Sequence, residues 1–93
     1  MIRDIKIGNI VLSISGKDKG EHFIVCNIDD NFAYVVNGKS RNLTNPKKKN
    51  IKHLQIVCRD CNLDFKKVFD CDIIHTLNNY ISLKNHWRKR NSG

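Results

Sequence analysis

Acid is scarce in this chain. Glu21 is its one glutamate, and 9 Asp+Glu stand against 17 Lys+Arg in 93 residues, a formal charge of +8 with a pI near 9.6. A soluble surface usually intersperses both signs, so lysine enriched without glutamate implies a field that serves association with an anion. Proline is nearly absent too, with Pro46 alone. No glycine-rich phosphate loop, dinucleotide fingerprint or recurrent histidine spacing occurs, and Asp29-Asp30 occupies an ordinary turn. Nothing therefore points to catalysis or to a small-molecule substrate. Long apolar runs are missing as well. Charges interrupt Met1-Ile2-Arg3-Asp4-Ile5-Lys6, which argues against a secretory leader, and no stretch approaches the length of a bilayer span. The expected setting is cytoplasmic, where Cys26, Cys58, Cys61 and Cys71 would be reduced thiols.

What is present is a single small domain. A chain of 93 residues buries only about two-thirds of its extended surface, which leaves room for one modest core. Residues 1–57 show short β-rich runs separated by turns and read as a small antiparallel barrel or sandwich. The expected strands are Gly8–Ile14, His22–Ile28, Phe32–Val36, a short return at Arg41–Leu43, and Lys52–Val57. In the second, period-2 alternation places Ile24, Cys26 and Ile28 on one face. Gly16-Lys17-Asp18-Lys19-Gly20 is a glycine-bracketed turn, and Asn37-Gly38 is a strong hairpin signal. Asn45-Pro46 stops the return strand and leaves Lys47-Lys48-Lys49 as an exposed loop. Residues 58–69 read as a connector. Ile73, Ile74, Leu77, Tyr80 and Ile81 recur at helical spacing behind Asp70, a candidate N-cap, which predicts a C-terminal helix over 70–83 packed on the barrel. Residues 84–93 form a basic tail.

Six basic side chains, Lys39, Arg41, Lys47, Lys48, Lys49 and Lys52, fall on two tethered loops with no acid between them. Their abundant natural complement is a phosphate backbone. Trp87 beside Arg88, Lys89 and Arg90 offers a ring for an unpaired base, or else covers the helix end as core. Cys58-x2-Cys61 with Cys71 and His75 supplies ligand types that zinc accepts. A second compact pair or a glycine-bearing knuckle is absent, so packing is the favoured role for these thiols and no cofactor is expected.

Gly8-x-Ile10 through Gly16-Lys17-Asp18-Lys19-Gly20 to Ile28 resembles the KOW motif of ribosomal proteins and transcription-elongation factors. The continuation Asn37-Gly38-Lys39-x-Arg41-x-Leu43, Asn45-Pro46-Lys47-Lys48-Lys49 and Lys52-His53-Leu54 is similar to bacterial KOW-domain RNA-binding proteins that resemble a large-subunit ribosomal protein of archaea and eukaryotes. The resemblance covers about residues 7–56. It implies a mainly β fold, an SH3-like antiparallel barrel of about five strands with one C-terminal helix. It also implies a monomeric, non-catalytic binder of RNA, ribosomal RNA foremost. Carried over by position, Lys17, Lys19, Lys39, Arg41, Lys47, Lys48, Lys49, Lys52 and His53 would face phosphates. The alternative is a KOW module that docks on a protein of the transcription or translation machinery.

Overall fold

A computed structural model of the chain describes residues 5–59, 61 and 63–92, with side chains of the last helix up to residue 84. Five strands run β1 (Ile10–Ser13), β2 (His22–Asp29), β3 (Phe32–Val36), β4 (Lys47–Asn50) and β5 (Leu54–Cys58), and one helix follows, α1 (Asp70–Ser92). All neighbouring strands are antiparallel, in the order β4-β3-β2-β1-β5. The protein is thus mainly β with a single C-terminal helix.

β4 and β5 occupy opposite edges of the sheet, yet only a 3₁₀ turn, Ile51–His53, joins them. In a flat sheet these edges would lie about 19 Å apart, four spacings of about 4.8 Å. One 3₁₀ turn advances only about 6 Å, so the sheet must roll until its edges approach. The strand order is compatible with an SH3-like barrel. The β4–β5 seam carries no ladder, which makes the structure a rolled open sheet.

Rolling gives the sheet two apolar faces. Ile5, Val11, Phe23, Val25, Ala33, Val35 and Leu54 form one buried cluster. Ile10, Ile24 and Val36, their alternates along the same strands, form a second with Ile73 and Leu77 of α1. Burying each of these two helix side chains contributes about 2 kcal/mol.

Several expectations need correction. Ile28 packs with the first cluster whereas Cys26 packs with the second. A β-bulge between Val25 and Asn27 inserts Cys26 as an extra residue, and one extra residue reverses which face every later side chain takes. Arg41–Leu43 is not a strand. Asn37 instead closes a wider loop, its Oδ1 accepting from the Lys39 and Arg41 amides at 2.9 and 3.0 Å, and the Leu43 amide donates to Asp70 Oδ1 at 2.8 Å. The returning strand is the lysine run itself, Lys47–Asn50, paired with β3 from Phe32↔Asn50 to Val35↔Lys47. Open sheet edges commonly carry lysine, which discourages pairing with another chain.

The helix is longer than its apolar stripe, because its backbone continues through the expected tail to Ser92. Asp70 does not cap it. Asp72 Oδ2 accepts the Phe69 amide at 2.9 Å, the carboxylate half of a capping box, which leaves Asp70 to hold the β3–β4 loop. Gly38 sets how closely that loop meets α1. Its φ is +81°, and a Cβ there would lie 2.5 Å from Ile74 Cγ1 and 2.7 Å from the Asp70 carbonyl oxygen.

Candidate nucleic-acid interface

The β1–β2 loop is organised by one carboxylate. Gly16 and Gly20 turn the chain at φ +90° and +93°, and Asp18 between them points inward. Ser13 Oγ donates to Asp18 Oδ1 at 2.7 Å, Lys49 Nζ reaches the same oxygen, and Lys47 Nζ lies 2.8 Å from Oδ2. Lys49 also donates to the Ser15 carbonyl at 2.9 Å. Burial alone would push the Asp18 carboxyl up. The hydrogen bonds from Lys47, Lys49 and Ser13 outweigh it and hold the group well below the usual carboxylate range.

Two of the expected phosphate contacts are therefore occupied. Lys49 is 8% exposed and belongs to the interior. Lys47 is half-buried, also bound to Asp18. Strand register explains both, because Lys47 and Lys49 lie opposite Val35 and Ala33, which face the first core. The next residue along the strand takes the other face. Lys48 pairs with Tyr34, and its Nζ stands 4.5 Å from the centroid of the Phe32 ring.

Lys17 and Lys19 are exposed on the β1–β2 loop, Lys39 is exposed on the β3–β4 loop, and Arg41 beside it is half-buried. The two loops meet across a shallow groove of about 270 Å³ in which Gly20, His22, Asn37 and Lys39 face Ile74 and Leu77 of α1. Glu21, the one acid lining this groove among the described residues, is exposed. Lys52 is exposed on the 3₁₀ turn, and the His53 carbonyl accepts the Ile14 amide at 3.0 Å, which ties that turn to the β1–β2 loop. One backbone hydrogen bond thus links the segment before Lys17 and Lys19 to the turn that carries Lys52 and His53, and the groove lies between the end of the β1–β2 loop at Gly20 and Lys39. The side chains of Trp87, Arg88, Lys89 and Arg90 lie outside the described residues.

Three groups carried no signal in the sequence. Asp18 reads as an ordinary turn residue. His22, tilted against the Tyr80 ring at 5.7 Å, has a buried Nε2 that finds no hydrogen-bond partner among the described residues. Burial, then the nearby Lys84 charge, lowers its pKa. The third is a cleft of about 610 Å³ at the β2 bulge, lined by Cys26, Asn27, Tyr34, Leu43, Pro46, Phe65 and Val68.

Of the four zinc candidates, Cys58 and Cys61 are half-buried against the second core while Cys71 and His75 are exposed on α1. Among the described residues no three His, Cys, Asp or Glu side chains gather as a metal site. Nor is any helix among them long and apolar enough to cross a membrane. No family model matches the chain, and no curated protein matches it.

Proposed function

We propose that the chain is a non-catalytic RNA-binding protein of the cytoplasm that holds structured RNA, foremost ribosomal RNA, through its basic loops. The observation that carries this reading is the division of labour among the lysines. Asp18 engages Lys47 and Lys49, whereas Lys17, Lys19 and Lys39 project into solvent from adjoining loops. Exposed loop cations suit a folded polyanion, which is recognised largely through shape and backbone; Asp18, between Lys17 and Lys19, is buried and turned to Lys47 and Lys49. Arg41, its backbone fixed by Asn37, can add the two-pronged phosphate contact that lysine lacks. The resemblance to KOW-domain proteins agrees with this reading.

The test is fractionation of cell extract. Under the proposal the protein sediments with ribosomes after a mild wash and is released by ribonuclease. Sedimentation with RNA polymerase that persists after ribonuclease would replace this reading with the protein-docking alternative.

A further inference from the structure

Helix α1 covers the outer face of the sheet only where Ile10, Ile24 and Val36 lie. Beyond that edge the outer face continues along β3 as Phe32 and Tyr34, two residues apart and so side by side. Both are half-buried. Tyr34 is also a wall of the 610 Å³ cleft, whose remaining walls include Leu43 and Pro46 from the β3–β4 loop and Phe65 and Val68 from the connector. Phe65, Val68 and Leu43 pack against the second core, so the walls are anchored. The opening has room for a nucleotide and is bounded by two aromatic residues.

We infer that this cleft binds one unpaired nucleobase of a folded RNA, stacked on Tyr34. The inference rests on the RNA-binding reading and assigns it a second, non-electrostatic contact. Polar groups for a base edge are close at hand. Asn27 lies opposite Tyr34, and because its Oδ1 accepts the Ile28 amide at 2.9 Å, its Nδ2 is left as the donor group. The Cys26 thiol, kept neutral by burial, donates to the Tyr34 carbonyl oxygen at 3.4 Å, so it helps fix Tyr34 and offers a base edge only its sulfur as a weak acceptor. A cation stands beside the site, because Lys48 pairs with Tyr34 across β4 and carries its Nζ to 4.5 Å from the centroid of the neighbouring Phe32 ring, where it can meet a phosphate of the stacked nucleotide. Stacking tolerates any base because each has a π-face, so the site selects unpaired nucleotides without selecting sequence.

The experiment compares two RNAs of equal phosphate count, a hairpin with an unpaired loop and a fully paired duplex, binding to the full chain and to Tyr34→Ser. The expected result is about a tenfold loss for the hairpin, the effect of one stacked base, with duplex affinity unchanged. Equal affinity of wild type and variant for the hairpin, while duplex binding persists, overturns the cleft and leaves the electrostatic reading standing. Binding of neither RNA by wild type overturns both. Because the substitution could disturb β3, wild-type protein is also crosslinked to a hairpin carrying 5-iodouridine in its loop. Crosslinks at Tyr34 or Phe65 support the site, and crosslinks confined to the lysine loops overturn it.

Discussion

Asp18 shows how one side chain decides what its neighbours can do. An aspartate between two glycines reads as solvent-facing, yet here it anchors the β1–β2 loop to the β4 edge through Lys47 and Lys49. Removing one partner of a buried pair leaves the other unpaired, which typically costs about 3 kcal/mol. Asp18→Asn should lose roughly that much stability in urea denaturation. Adding Lys49→Met should recover part of it, since packed apolar groups often replace a buried pair at little cost. The pH dependence follows from direction alone. The folded carboxyl titrates below its unfolded value, so its contribution is complete above about pH 4 and is lost as pH falls toward the folded pKa. His22 acts in a higher window. Its folded pKa is depressed, so below about pH 6.5 the unfolded chain takes up a proton that the folded one resists, and stability falls. Melting curves at pH 7 and pH 5 should differ less for His22→Gln than for wild type.

At the level of elements, the contact between the β3–β4 loop and α1 is the most constrained junction. Gly38 combines a left-handed backbone with a separation too small for a methyl group. Gly38→Ala should therefore destabilise by about 2 kcal/mol, as overpacking and positive φ both oppose it. Leu77→Ala should cost about 3 kcal/mol by opening a cavity under α1, and thermal melts of the two variants check both figures. The elements also show what their residues announced. β2 and β3 are legible because both are rich in β-branched and aromatic residues, and Gly16 and Gly20 mark the β1–β2 turn by the φ they adopt. β4 was not legible, since Lys47-Lys48-Lys49 has no apolar residue and follows a proline. It is a strand because β3 needs a partner on that side, and lysine stems can lie along apolar surface while their amines reach out. The face of Ile28 was hidden for another reason. A bulge is a local insertion that strict alternation cannot register. The last turns of α1 lie beyond the apolar stripe, where periodicity has nothing to report.

Across the whole molecule, the sequence conveyed the excess of cations but not their assignment. Lys17, Lys19, Lys39, Lys48 and Lys52 are exposed, while Lys49 is interior and Lys47 is engaged by Asp18. The register of β4 sorts them, and register is a property of pairing that the lysine run does not reveal by itself. A protein that neutralises about five phosphates should lose about 3.5 decades of affinity for each tenfold rise in salt. The most direct measurement is that slope, taken by RNA filter binding for wild type and for Lys17→Gln/Lys19→Gln/Lys39→Gln with unchanged melting temperature. The triple variant should bind more weakly, with a slope shallower by about 2. An unchanged affinity and slope would contradict RNA binding through these loops.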